Sequence, residues 1–126
     1  MKASIDTNIL IQYIVKIDKK SVDIISVFIK KYDQFVVTQT VFMEAVFILE
    51  NKLGLSRNDI DKEIFCILEN RLFEFLLDFD VYLFLSLYTS YASLDVTDLY
   101  ILIHSKEIES ITLDHDLAKK ISLGKF

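Results

Sequence analysis

Short apolar runs that look like buried strands alternate along this chain with longer segments of helical periodicity, and this alternation limits the fold more than any other feature. Parallel strands need a crossover of about a dozen residues or more, which a helix usually supplies. The alternation therefore predicts an α/β fold with three layers (α/β/α) and a mainly parallel central sheet of four or five strands. The clearest strand-like runs cover residues 2–5, 35–37, 73–77 and 110–113.

Apolar residues spaced three and four apart, together with capping signals, locate the helices. We expect Gly54 to close the third helix, and Ser56 with Asp59 forms a capping-box variant that opens the fourth. No repeat or linker interrupts the pattern, so we predict a single domain over residues 1–126. The predicted helices span residues 8–16, 22–31, 40–53, 57–70, 81–91, 95–107 and 117–121.

Composition bounds the class of protein. The chain is 52% hydrophobic, but its apolar runs are far shorter than the roughly 20 residues that a membrane span needs. The opening residues lack the apolar segment of a signal peptide, and the single Cys66 excludes a disulfide within the chain. We therefore expect a cytoplasmic protein with no membrane partner, whose apolar excess serves an oligomer or partner interface.

The most informative side chains are four acids, Asp6, Glu44, Asp98 and Asp114, at or near the starts of helices. Asp6 follows the first strand and Asp114 follows the last, and right-handed connections bring Glu44 and Asp98 to the same sheet edge. Ligands of open α/β sheets bind at that edge. Gathered carboxylates repel one another unless a cation lies between them, so the pattern predicts a divalent-metal site.

Helix capping is the competing explanation for the aspartates, because Asp is a preferred N-cap and suits the helix dipole. Asp95 and Asp98 have the N-cap to N3 spacing of a capping box. Glu44 resists this explanation, since its apolar neighbours predict a poorly solvated carboxylate that needs a partner. Oxygen ligands favour Mg²⁺ or Mn²⁺, and neither His104 nor His115 has a zinc-ligand spacing.

Four segments, taken in order, resemble the motifs of PIN-domain ribonucleases of the VapC toxin type, and the resemblance covers nearly the whole chain. The sequence departs from that family at Tyr100, Ile103 and His104, where small alanines are usual. The matching segments are D-T-N-I-L at 6–10, V-V-T-Q-T-V-F-M-E-A-V-F-I-L-E at 36–50, L-D-V-T-D-L-Y-I-L-I-H-S-K-E at 94–107 and I-T-L-D-H-D-L at 111–117.

The resemblance implies a metal-dependent endoribonuclease that leaves a 5′-phosphate and a 3′-hydroxyl. Its four principal acids, named above, would hold one or two Mg²⁺ or Mn²⁺ ions, with Asp95 and Asp116 as additional acids. Asn8 and Thr112 would supply supporting hydrogen bonds. The resemblance also implies a homodimer, and a cognate antitoxin protein that silences the enzyme.

A net charge of −5 argues against indiscriminate coating of nucleic acid but allows a local basic patch that meets RNA. Several groups of lysines could form such a patch, although a solvated helix face is the plainer explanation for each group. The candidate RNA-contacting residues are Lys16, Lys19, Lys20, Lys30, Lys31, Lys119 and Lys120.

Other folds that carry early aspartates fit less well. A haloacid-dehalogenase-like phosphatase needs a second Asp where Asn8 stands, and a Toprim-type site needs a Glu where Asp6 stands. A receiver domain needs a Lys after its last strand. The last predicted strand here ends at Leu113, and no Lys follows it there. Two alternatives stay open: a catalytically silent PIN fold that serves as an interaction module, and a PIN nuclease in RNA processing without an antitoxin.

Overall fold

The computed structural model describes residues 1–16, 19–105 and 114–123, and within these ranges the chain is α/β, as the alternation of patterns predicts. The chain forms two compact units, Met1–Leu77 and Asp78–Phe126. The first unit holds β1 (Lys2–Ser4), α1 (Thr7–Val15), α2 (Lys19–Lys31), β2 (Gln34–Thr38), α3 (Gln39–Asn51), α4 (Arg57–Leu68) and β3 (Phe73–Leu76). The second holds α5 (Val81–Ser90), α6 (Val96–His104) and α7 (His115–Leu123).

The three strands form a parallel sheet in the order β1-β2-β3, so each strand lies beside the next one along the chain. Each crossover therefore moves in the same direction across the sheet. Right-handed crossovers of this kind place their helices on the same face. The packing agrees, because α1 contacts both α2 and α3, and α3 contacts α4.

The core of the first unit lies between these helices and the facing side of the sheet. Phe35, Val37 and Phe73 are buried on the strands, and the rings of Phe35 and Phe73 have centroids 6.0 Å apart. From the helices, Leu10 and Phe42 are fully buried. Each such side chain contributes about 1.5–3 kcal/mol through burial. The alternate strand residues are only partly covered, which gives the strands their period of two.

The second unit is helical in the part of the chain that the structure describes. Helix α6 packs against both α5 and α7. Tyr88 and Phe84 of α5 are fully buried and stack with ring centroids 5.8 Å apart. Leu99 and Leu102 of α6 are also fully buried, so the apolar stripe of α6 forms the centre of this core.

Most predicted elements are confirmed to within a few residues. Helix α2 begins three residues earlier than predicted, and α3 ends at Asn51 instead of continuing to residue 53. Gly54 then turns the chain toward α4 with a φ of 71°. The predicted strand at 110–113 and the last residues of the helix predicted to reach 107 lie outside the described residues. The division into two compact units does not test whether the chain is a single domain, so that stays a prediction.

Candidate functional site

Asp6 lies two residues beyond the end of β1, at the sheet edge where the sequence places it. Its side chain is the N-cap of α1, with Oδ1 accepting a hydrogen bond from the Ile9 amide at 3.0 Å. The other oxygen, Oδ2, makes no hydrogen bond within residues 1–16, 19–105 and 114–123. Asp6 is therefore a cap that keeps one exposed carboxylate oxygen available for a ligand.

The two residues after Asp6 differ in their surroundings. Asn8 is exposed and makes no hydrogen bond to any described residue, so its supporting role stays a prediction. Thr7 is buried, with 8% of its surface exposed, and it is the one buried polar residue in the described part of the chain. The sequence reasoning assigned Thr7 no role, because threonine in a first helical turn carries no distinctive signal.

Glu44 corrects one expectation, since its side chain is exposed rather than poorly solvated. The buried face of α3 carries Phe42, Ala45 and Leu49. At about 100° per residue, Glu44 lies roughly opposite that face. The helix looked apolar nearly all round because Val41 and Ile48, which are only partly buried, were counted together with the buried residues of α3. Burial therefore gives Glu44 no reason to need a partner.

In the second unit, Asp95 and Asp98 form the capping box that their spacing predicts. The Asp98 amide donates to Asp95 Oδ1 at 2.8 Å, and the Asp95 amide donates to Asp98 Oδ2 at a longer 3.4 Å. This reciprocal pairing fixes both carboxylates at the start of α6. In each of the two carboxylates, only one oxygen accepts a hydrogen bond from the capping-box amides.

Asp114 repeats the arrangement at the start of α7. Its Oδ1 accepts a hydrogen bond from the Leu117 amide at 2.8 Å, and its carbonyl accepts from Ala118 at 2.9 Å. Asp116 lies in the first turn of α7 with an exposed side chain. Thr112, the predicted hydroxyl of this motif, lies outside the described residues.

The electrostatics of Asp98 link these carboxylates. Partial burial raises the pKa of Asp98, and the negative charges of Asp95 and Asp114 raise it further, against the lowering effect of the hydrogen bond from the Asp95 amide. Asp95 and Asp114 therefore each lie within electrostatic reach of Asp98, and we call the three residues the acidic cluster. Like charges so gathered favour either a proton or a cation between them.

The acidic cluster is not a preformed metal cage. Among the described residues, no three His, Cys, Asp or Glu side chains are placed to hold one ion together. Charge repulsion acts over about 4–6 Å, whereas ligands lie about 2.0–2.1 Å from a bound Mg²⁺. Mg²⁺ usually takes one or two carboxylates and keeps several waters, so the donor chemistry fits this ion without a third direct ligand.

The structure thus brings Asp95 and Asp114 within electrostatic reach of Asp98, and it places Asp116 in the first turn of α7 with an exposed side chain. Asp6 and Glu44 belong to the first unit, on helices α1 and α3 that pack against each other. The joining of the two groups into one site stays a prediction.

A second polar cluster was not anticipated from the sequence. Tyr100 donates its hydroxyl to Asp78 Oδ2 at 2.7 Å, and His104 Nε2 lies 3.4 Å from Asp78 Oδ1. The rings of Tyr100 and His104 have centroids 4.5 Å apart. Their spacing of four residues does predict a shared helix face. No sequence signal points to Asp78, because that contact depends on the tertiary fold.

The candidate RNA-contacting lysines differ in exposure. Lys19, Lys20, Lys30 and Lys31 are all exposed on α2. By contrast, Lys120 is half-buried with its Nζ 4.4 Å from the centroid of the Tyr91 ring, which gives it a structural role.

Comparison with family models, with curated proteins and with solved structures finds no match to this chain. Within the residues that the structure describes, every helix is too short or too polar to cross a membrane.

Proposed function

We propose that the protein is a metal-dependent endoribonuclease with a PIN-like fold, which hydrolyses RNA phosphodiester bonds. The observation that carries the proposal is the acidic cluster, in which Asp95, Asp98 and Asp114 crowd their negative charge at two helix starts. Helix capping accounts for one oxygen of each carboxylate and leaves the crowding unexplained. A divalent cation relieves that crowding, and phosphodiester hydrolysis needs such a cation.

In this proposal Asp98 and Asp114 would hold Mg²⁺ or Mn²⁺, and Asp6 and Glu44 are the further ligands that the resemblance to PIN-domain ribonucleases implies. The bound ion supplies positive charge that stabilises the phosphate and acidifies the attacking water. The chain's own contribution is orientation. Backbone amides hold one oxygen of each carboxylate: the Asp95 amide donates to Asp98 Oδ2, and the Leu117 amide donates to Asp114 Oδ1. Asp95 and Asp116 add negative charge, and Asn8 and Thr112 supply supporting hydrogen bonds.

The finer fold belongs to the same proposal. Strand β1 is an outer strand of the sheet that the described residues form. We propose that the complete fold is a three-layer, PIN-like arrangement with a mainly parallel sheet of four or five strands, of which the described residues form three.

The proposed setting is a VapBC-type pair, in which a cognate antitoxin silences the enzyme and the enzyme forms a homodimer. Support for protein partners comes from exposed apolar side chains on and after α3 and on α4. Phe47, Leu53 and Phe65 are between 44% and 46% exposed. Large exposed apolar side chains of this kind are typical of interaction surfaces.

The test is RNA cleavage by the purified full chain, in Mg²⁺, in Mn²⁺ and in EDTA, on a panel of single-stranded and structured RNAs. We expect cleavage only with metal, and a loss of about 100-fold or more in Asp98→Asn. Asp80→Asn is the matched control, because Asp80 caps α5 through two amides and lies outside the acidic cluster. Both variants keep an N-cap acceptor, so both should fold.

Two results would contradict the proposal. The first is a wild-type protein that stays inert on the whole RNA panel with metal present, which favours the catalytically silent interaction module. The second is equal cleavage by Asp98→Asn and Asp80→Asn, which would reduce the acidic cluster to helix caps. Metal-dependent cleavage with no antitoxin partner would favour the RNA-processing alternative.

A further inference from the structure

One face of α2 carries four exposed lysines in a protein of net negative charge. Lys19, Lys20, Lys30 and Lys31 define this surface, which we call the α2 lysine face. None of the four forms an ion pair with a described acidic residue. Lys31 instead lies with its Nζ 5.5 Å from the centroid of the Tyr32 ring. Within the part of the chain that the structure describes, the four ammonium groups thus form a local excess of positive charge, although the chain as a whole has a charge of −5.

The four lysines form an elongated strip along α2 rather than one compact cluster. Lys19 and Lys30 are separated by about 16 Å along the helix axis, at about 1.5 Å per residue. At about 100° per residue, all four lie within a sector of about 120°. The buried Ile25 faces the other way, toward the core. The strip also carries one exposed acid, Asp23, so its net charge remains strongly positive.

The chemistry of the strip favours a phosphate backbone over a protein surface. Lysine is depleted in protein–protein interfaces, where aromatic residues and Arg are enriched. The ammonium group is a compact charge with three rotatable donors, which suits phosphates whose exact positions vary. Among the described side chains of α2, Val27 is the large apolar one exposed within the lysine sector, and it lines an open depression with Lys19 and Lys20. Phe28, which is 38% exposed, lies about 60° outside that sector. A single valine does not make an apolar anchor for a protein partner.

We infer that the α2 lysine face binds the phosphodiester backbone of RNA and holds the strand while it is cleaved elsewhere on the protein. The choice of RNA over another nucleic acid rests on the proposed function. The surface itself rests on the exposure, spacing and charge of the four lysines. Binding of this kind is electrostatic and independent of base sequence, so it must weaken as salt rises.

The test measures RNA binding without cleavage. Fluorescence anisotropy follows a labelled oligouridine of about 12 nucleotides, within the range that basic grooves commonly hold. The protein is the full chain carrying Asp98→Asn, in EDTA, titrated at several NaCl concentrations. The probe variant adds Lys30→Gln and Lys31→Gln. The matched control adds Lys52→Gln and Lys62→Gln, which remove the same charge from exposed positions off α2.

The expected effect follows from counterion release. Each phosphate contact to a single strand contributes about 0.7 to the slope of log K against log salt. Losing two contacts should lower that slope by about 1.4 and weaken binding about tenfold near 0.15 M salt. The control should change the slope by less than half as much. Lys19→Gln with Lys20→Gln should reproduce the probe variant, because the strip extends to both ends of α2.

Equal slopes for the probe and control variants would overturn the inference, as would a chain that binds no oligouridine. A poly-glutamate peptide of matched charge that competes as well as RNA would also overturn it, since the face would then belong to an acidic protein partner. A different result would refute the proposed function. Inert wild-type protein that still binds oligouridine through α2 would refute the nuclease, and with it the holding of a strand for cleavage, but would leave RNA binding by the α2 lysine face in place.

Discussion

Replacing Asp6 with two different residues separates its role as a cap from its proposed role in catalysis. Asp6→Asn keeps a side-chain oxygen that can accept from the Ile9 amide, whereas Asp6→Ala removes it. Both changes remove the negative charge that a metal ion needs. If Asp6 serves both purposes, both variants should lose cleavage and only Asp6→Ala should lose stability.

The size of the stability loss follows from the geometry. The hydrogen bond to the Ile9 amide is 3.0 Å long and exposed, so its removal should cost about 1 kcal/mol, near the middle of the range for caps. At about 2.1 cal/mol/K per residue, unfolding of a 126-residue chain has an entropy of about 0.26 kcal/mol/K. A loss of about 1 kcal/mol therefore lowers Tm by about 4 °C.

The assay combines calorimetry in EDTA with RNA cleavage in Mg²⁺. Asp6→Asn should melt within about 1 °C of the wild type and lose activity by about 100-fold. Asp6→Ala should show the same loss of activity with the lower Tm. Asp80→Asn and Asp80→Ala give the same pair of changes at a cap outside the proposed site, and both should stay active. Full activity in Asp6→Asn would refute the reasoning, because Asp6 would then be a cap and nothing more.

Two further predictions concern the other acids, both measured by urea unfolding in EDTA. Asp98→Asn should be more stable than the wild type at pH 7, and this advantage should shrink as pH falls through the raised pKa of Asp98, because protonation relieves the same repulsion in the wild type. An advantage that does not change between pH 7 and pH 4 would contradict this. Glu44→Gln should change stability by less than about 0.5 kcal/mol, since Glu44 is exposed. The control on the same helix is Glu50→Gln, which should lower the free energy of unfolding by about 1–2 kcal/mol because it breaks the partly buried ion pair with Arg57 at 3.1 Å. A comparable loss in Glu44→Gln would contradict the prediction, since it would show that Glu44 has a structural partner.

Local signals predicted the parts of the fold that local physics determines. The Asp95–Asp98 capping box follows from spacing alone, because both of its hydrogen bonds close within four residues. The strand around Phe35 and Val37 follows from an apolar run that only a buried strand explains. These features need no knowledge of the tertiary fold.

The errors arose where side chains depend on distant packing. Glu44 was expected to be poorly solvated because its apolar neighbours were counted without their angular positions, and the partly buried Val41 and Ile48 were counted as if they were buried. Lys16 adopts a left-handed φ of 49° at the end of α1, where sequence patterns favour glycine. The contact of Asp78 with Tyr100 joins residues 22 positions apart. No pattern along the chain reports such a contact.

The hydrogen bonds from backbone amides to Asp6, Asp98 and Asp114 have a consequence for how a metal ion would be exchanged at the proposed site. The amides hold each carboxylate in place without any ion, so an ion could leave without unfolding the helices that carry its proposed ligands. Selection between Mg²⁺ and Mn²⁺ then depends on how readily each ion sheds its waters, and not on a rigid cage of fixed size. Such a protein would remain folded when metal is scarce and regain its activity as soon as the ion returns.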